Sequence, residues 1–227
     1  MADRSADRAA GQARAAFVAP SSIHAGALGE LDRIDQAVYR AIAATPSPGL
    51  DLSLRRLSSA ADHSKLWLAV AGGLAAGGGR PRRAALLGVA SIGLASATAN
   101  LVAKTLLRRE RPDRAGTAVA AGRRVRMPGS TSFPSGHAAS AFAFATAVSD
   151  ELPLTWLPLH ALATAVAYSR VHTGVHYPGD VLIGSLMGTG AAVAVRYTGR
   201  VVARRQRLGR VSGSSSSSRQ GTPLSAT

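Results

Sequence analysis

The 227-residue sequence predicts an all-α fold, a polytopic transmembrane helical bundle of about five membrane helices preceded by an amphipathic N-terminal helix pair. Three observations carry this. Apolar, charge-poor runs recur five times between residues 66 and 195. Aromatics make up only 4% of the chain, so the apolar content rests on Ala, Gly, Leu and Val, which suits close helix contact better than a large aqueous core. The net charge of +15 is nearly all arginine, since Lys65 and Lys104 are the only lysines, and the arginines gather between apolar runs and in the C-terminal tail.

Residues 1–29 mix Ala, Gly, Ser, Asp and Arg without periodicity and read as a mobile leader with no apolar signal-peptide core. The helical domain is expected over 30–200. Leu31, Ile34, Val38 and Ile42 recur at helical spacing with Asp32, Arg33, Asp35 and Arg40 on other faces, which describes an amphipathic interfacial helix. Pro46 and Pro48 end it, and Leu50, Leu54 and Leu57 begin a second short amphipathic stretch. Leu66–Gly79 is charge-free and glycine-rich, and Arg80-Pro81-Arg82-Arg83 interrupts it.

Ala84–Ala103 is the clearest span: twenty uncharged residues, about 30 Å as a helix, match a bilayer core. Asn100 is its only strongly polar side chain. Ala138–Ser149 and Leu152–Ser169 follow, parted by Asp150-Glu151, and Val181–Val195 is the last. Several runs fall short of the ~20 residues a full span prefers, so composition alone also admits a soluble protein with buried Ala-rich helices. Five runs within 130 residues argue against that, as does the close-packing pair Gly184-x-x-x-Gly188. Residues 201–227 read as a basic, serine-rich disordered tail able to touch anionic headgroups.

The absence of cysteine removes disulfides, thiolate metal sites and Cys nucleophiles. No basic helix with interleaved aromatics and no nucleic-acid motif occurs, so the charge points to membrane and phosphorylated lipid, with no nucleic-acid partner.

Three clusters stand at the edges of the apolar runs: Lys104 with Arg111-Pro112; Pro134-Ser135-Gly136-His137; and Ser169-Arg170 with His176 and Asp180. Counting helices places all of them on one membrane face. Two histidines, three cations and one carboxylate suit phosphoryl transfer with no metal and no cofactor. A helix start preceded by Ser and Gly offers free N–H groups to an anion, and a histidine there can protonate a leaving group. Pro178 suits the first turn of a helix. His176 is therefore a loop imidazole oriented by Asp180, with its other nitrogen free to attack phosphorus. Arg170 can clamp phosphate oxygens. Singly, each cluster also has a plain reading, as a snorkelling lysine, a loop cation or an ordinary helix start.

The combination K-x6-RP, PSGH and SR-x5-H-x3-D resembles the type-2 phosphatidic acid phosphatases, the lipid phosphate phosphatase superfamily that includes vanadium haloperoxidases, over roughly residues 50–200. The resemblance implies a helical bundle with a phosphohistidine mechanism. It implies phosphate binding by Lys104, Arg111 and Arg170 with Ser135 and Gly136, protonation of the leaving group by His137, nucleophilic attack by His176, and orientation by Asp180. The expected substrate is a lipid phosphate or diphosphate, and the expected location is the cell membrane, multi-pass, with the site on the extracytoplasmic face. Membrane members often have six spans, whereas the first would-be span here is only amphipathic. Two alternatives stay open: a vanadate-dependent haloperoxidase-like enzyme, and a non-catalytic basic protein that binds anionic lipid. His172 fits no signature position and reads as a local structural or substrate-edge residue. His160 reads as a packed or hydrogen-bonded core histidine, and His24 and His63 carry no assignment.

Overall fold

Helix punctuation in the sequence sets the architecture. The computed structural model describes residues 20–105, 109–117 and 119–217, with side chains at 26, 28–101, 109–117 and 119–206. In chain order the helices are α1 (Pro20–Ala44), α2 (Pro48–Ala60), α3 (Lys65–Ala76), α4 (Gly79–Thr105), α5 (Gly136–Glu151), α6 (Trp156–His172) and α7 (Pro178–Ser217), with single 3-10 turns at Asp62–Ser64, Ala121–Arg123 and Pro153–Thr155. No strand occurs among the described residues.

α1 and α2 are the expected amphipathic pair, broken before Pro46 and restarted with Pro48 in the first turn. Two boundaries differ from expectation. α1 begins at Pro20, inside the stretch read as leader, and α7 continues to Ser217, inside the stretch read as tail. The extension of α7 carries four arginines between 204 and 210, good helix formers whose local preference needs no apolar face. Between α3 and α4 the chain reverses through Gly78 and Gly79, at φ 66° and 43°, a region only glycine enters without strain. The Arg80–Arg83 interruption is thus the first turn of α4 rather than a loop.

α5 is the central helix, packed against α4, α6 and α7. Its alanines make this possible: Ala138, Ala139, Ala141, Ala143 and Ala145 are all fully buried. Gly184 and Gly188 of α7 lie directly on the α5 backbone, where an added Cβ would collide with the carbonyl oxygens of Ser135 and Ala139. The small-residue pair therefore does set a close helix crossing. On the other side, Gly88 of α4 admits the Phe144 ring, whose carbons would lie 2.7 Å from a Cβ there, and Phe144 packs against Trp67 of α3 at 5.5 Å between centroids.

Among the described residues two helices, Gly79–Leu101 and Pro178–Gln206, are long and apolar enough to cross a membrane. α3, α5 and α6, at 12, 16 and 17 residues, are shorter than the ~20 of a full span.

The connection from α4 to α5 is held by its arginines turned inward. Arg123, only 2% exposed, donates to Asp51 Oδ1 at 2.9 Å and to the carbonyl oxygens of Ile42, Ala43 and Thr45 at the end of α1. Arg114 donates to the carbonyls of Gly174 and Val125. Guanidinium forks here replace regular secondary structure as partners for backbone oxygens, which must be satisfied once buried.

Candidate active site

α6 ends at His172, and Gly174 (φ 70°) turns the chain so that α7 can begin at Pro178. A side chain at 174 would press on Tyr39 Oη at 3.0 Å and on Arg114 Cγ at 3.2 Å. His176 consequently sits in a loop and Asp180 in the first turn of α7. His176 Nδ1 lies 3.5 Å from Asp180 Oδ2, an ion-pair distance longer than a closed hydrogen bond. Asp180 is fully buried and held on every side. It accepts from Ser132 Oγ, from the Tyr177 amide at 2.9 Å, and from Arg109 Nη1 at 2.9 Å. Arg109 also pairs with Asp32 and Asp35 of α1 at 2.6 and 2.7 Å, and its guanidinium stands 4.1 Å over the Tyr177 ring. One cation thereby ties α1 to the carboxylate that faces His176.

The tautomer of His176 follows from its other neighbour. Arg111 Nη1 lies 3.3 Å from His176 Nε2, and a guanidinium can only donate, so Nε2 holds a lone pair and Nδ1 holds the proton facing Asp180. Burial pushes the His176 pKa down to about 4; Arg111 and Arg170 push the same way, against the opposing pull of Asp180. At neutral pH the ring is uncharged, the form that can act as a nucleophile.

Arg111 is fixed before any ligand arrives. Besides His176, it donates to Ser130 O at 2.9 Å, Val175 O at 2.7 Å, Thr131 O at 3.0 Å and Ser130 Oγ at 3.2 Å, which uses all five of its N–H groups. The two longest contacts, to Nε2 and to Ser130 Oγ, are those a phosphate oxygen can most readily replace, and replacing the first also frees the Nε2 lone pair. Arg170 is 1% exposed; Nη1 donates to Ser58 Oγ, while the buried Nε has no partner among the described residues. A buried, unmatched donor on a cation costs about 1–3 kcal/mol and marks a place where an anion is favoured.

Ser135 caps α5, accepting from the Ala138 amide, and its own amide donates to Asp180 O at 2.9 Å. This bond couples the start of α5 to the start of α7. Gly136 and His137 then line the same cavity as Arg111, Arg170 and His176, a space of about 510 Å³. His137 Nε2 lies 2.8 Å from Asp62 Oδ1, in the turn between α2 and α3. The structure brings Arg111, Ser135, Gly136, His137, Arg170, His176 and Asp180 together. Lys104 belongs to α4, but its side chain lies outside the described residues.

The family description "PAP2 superfamily" matches residues 84–202, more than half of the chain. The chain belongs to the PAP2 superfamily. Among curated PAP2 relatives, the decaprenylphosphoryl-5-phosphoribose phosphatase of Mycobacterium tuberculosis (strain CDC 1551 / Oshkosh) is 38% identical over 155 residues, 67% of this chain and 82% of that protein. The protein of the same name from Mycolicibacterium smegmatis is 38% identical over 154 residues, 67% of this chain and 80% of that protein. Two solved structures align as well. The transmembrane PAP2-type phosphatidylglycerolphosphate phosphatase of Bacillus subtilis gives a TM-score of 0.60 at 22% identity, covering 76% of this chain and 88% of that one. Aquifex aeolicus LpxE gives 0.59 at 23%, covering 72% and 95%. Both show the fold.

Within this PAP2 site, sequence reasoning missed the residues that support the signature positions. Arg109 stands two residues before Arg111, and nothing in its spacing sets it apart from the other arginines of the connection. Ser132 and Ser58, hydrogen-bonded to Asp180 and Arg170, carry no signal in composition or spacing. Asp62 and His63 occupy a short polar turn between apolar helices, and His63, left without assignment, lines the cavity beside Ser64. His172 takes the structural of its two readings: it is 2% exposed and its Nε2 lies 3.1 Å from Asp51 Oδ1, joining α6 to α2. His160 Nδ1 accompanies Trp156 O at 2.9 Å and its ring stacks on Trp156.

Proposed function

We propose that this PAP2 phosphatase removes the terminal phosphate from a lipid whose phosphate is borne on a polar head group, with a polyprenyl-phosphoryl sugar phosphate as the substrate class. The observation that carries the chemistry is the cavity in which Arg111, Arg170, His137 and His176 meet. Two supports favour a polar head. The cavity wall also includes Ser96, Asn100, Thr131 and Ser140, so the one strongly polar side chain of the α4 apolar run faces the phosphate site. The curated relatives are named for a decaprenylphosphoryl-5-phosphoribose substrate.

In the proposed sequence the phosphate docks against Arg111, Arg170, Lys104 and the N-terminus of α5 at Ser135 and Gly136. Its oxygens take the donors that the cations hold out, so charge is stabilised by groups already in place. His176 Nε2 attacks phosphorus, Asp180 stabilises the Nδ1 proton, and His137 protonates the departing oxygen. Water then attacks the phosphohistidine, giving its proton to His137, and inorganic phosphate leaves.

The helical body over 30–200 is proposed to cross the membrane five times, through α3 to α7, with the α1–α2 pair at the interface. Arg80 Nη2 donates to Glu151 O at 2.6 Å, Arg83 meets Glu151 at 3.6 Å and Arg196 meets Asp150 at 2.5 Å. These contacts gather the basic ends of α4 and α7 at the face opposite the site, and that arginine-rich face is assigned to the cytoplasm.

The test is phosphate release by the purified full-length chain in detergent. The panel is decaprenylphosphoryl-5-phosphoribose, phosphatidic acid and a polyprenyl diphosphate, each with chelator present. Preference for the sugar phosphate with undiminished turnover in chelator is expected. Preference for phosphatidic acid contradicts the head-group assignment, and activity restored only by added magnesium contradicts the metal-free chemistry.

A further inference from the structure

Resting on the phosphatase chemistry proposed above, we infer that Asp62 is the positioning residue for His137, holding its imidazole through Nε2 so that Nδ1 carries the proton delivered to the leaving group. The two lie 75 positions apart in sequence and 2.8 Å apart in space. Among the described residues no hydrogen bond engages Nδ1 of His137, so the ring has one anchored nitrogen and one available to a substrate oxygen. An imidazole anchored to a carboxylate through one nitrogen has its ring plane and tautomer fixed, and its charged form is stabilised at the moment it must give up a proton.

The turn that supplies Asp62 has the character of a built feature. Ala61, 3% exposed, anchors it below, and Trp67, 1% exposed, anchors the start of α3. Between them His63 and Ser64 take φ/ψ of 54°/30° and 59°/17°, two successive non-glycine residues in the left-handed region. L side chains seldom adopt this backbone, and such outliers gather where a chain is held in one pose for a purpose. The reversal brings Asp62 onto His137 and places His63 and Ser64 in the cavity wall.

Electrostatics make the partner useful. His137 shares its cavity with the Arg170 guanidinium, a fixed positive charge. Asp62 is the carboxylate that meets it directly. Asp62 also comes within 3.9 Å of Arg170 Nη1, a longer and weaker contact than that to His137. During attack, the bond between phosphorus and the leaving oxygen breaks as His176 Nε2 bonds to phosphorus. The Nδ1 proton passes to the leaving oxygen, and His137 becomes neutral with its Nε2–H still on Asp62. In the second half the attacking water returns a proton to Nδ1.

A double-mutant cycle on the full-length chain in detergent tests this, using Asp62→Asn, His137→Ala and the pair. Decaprenylphosphoryl-5-phosphoribose, which departs as a sugar alkoxide, is compared with p-nitrophenyl phosphate, which departs as a stable phenolate. On the sugar phosphate Asp62→Asn should lower kcat about 10–100-fold, a fraction of what a general acid supplies, with KM nearly unchanged. The loss should shrink on p-nitrophenyl phosphate and vanish in the His137→Ala background. Asp62→Glu, which keeps the carboxylate, should recover part of the rate and serves in place of the Asn variant if that one does not fold. Equal losses on both substrates, a change confined to KM, a gain in activity, or a further loss added to His137→Ala would each overturn the assignment and place Asp62 with Arg170 or with the fold. A wild-type chain inert toward the sugar phosphate contradicts the underlying substrate proposal instead, and removes this inference with it.

Discussion

His176 and His137 each meet a carboxylate in the same cavity, yet the two pairs are built in opposite ways. Asp180 lies four residues after His176, is fully buried, and is held by Ser132, the Tyr177 amide and Arg109. Asp62 comes from a separate turn, its side chain is 43% exposed, and it makes the shorter contact, 2.8 Å against 3.5 Å. The first pair keeps a ring neutral and fixed, as a nucleophile requires. The second leaves a ring partly open to the cavity, as a group that must exchange protons with substrate and water requires. Under the proposed roles, the nucleophile's carboxylate is enclosed and the acid's carboxylate is open to the cavity.

Substitutions that break either pair should separate these duties. His176→Ala should abolish turnover by about 10⁶-fold, leaving only what binding and the cations provide. Asp180→Asn should cost up to about 10⁴-fold in kcat, because an amide facing Nδ1 no longer fixes the tautomer. If it equals His176→Ala, Asp180 has a larger role than orientation. His137→Ala should cost about 10²–10⁴-fold on a sugar monophosphate and less on a polyprenyl diphosphate, whose leaving phosphate needs less protonation. Identical losses for both histidines on both substrates would erase the distinction drawn between them. Steady-state rates across this substrate pair decide all three.

Smaller effects sharpen the contrast. Gly188→Ala should lower the thermal midpoint in detergent, by about 1–3 kcal/mol of stability, because its Cβ meets the Ala139 carbonyl and forces α5 from α7. An unchanged midpoint would mean that this crossing is looser than the geometry shows. Smallest is the titration of His176. Its pKa near 4 lies below the ordinary 6.5, so the ring should stay neutral as pH falls through 6.5 and protonate only near 4. The depressed value makes its contribution to folding present above pH 6.5 and lost as pH falls towards 4. An imidazole NMR titration of the intact protein checks this, and a midpoint near 6.5 contradicts the burial of the ring.

The sequence made the buried pair legible and hid the open one. His176 and Asp180 share one local segment, and Pro178 between them announces the helix start that brings them together. The charge-free run 84–103 and the Gly184–Gly188 pair likewise report on helices through adjacent residues. Asp62 could not be found in this way, because its partner is reached only after α3, α4 and the following connection have folded back. Arg109, Arg114 and Arg123 misled for a related reason. As letters they are loop charges, whereas folded they bind carbonyls and carboxylates from α1, α2 and the His176 loop. The helix end at Ser217 was also obscured, since the arginines of 204–210 favour helix without the periodicity that marks a buried face.

Rapid quenching of the working enzyme, followed by mass spectrometry of the peptide that spans residues 170–180, tests the division of labour most directly. A nucleophilic His176 predicts a phosphoryl group on that residue during turnover, still present in Asp62→Asn and absent in His176→Ala. Turnover with no phosphorylated histidine, or a phosphoryl group found on His137, would contradict it.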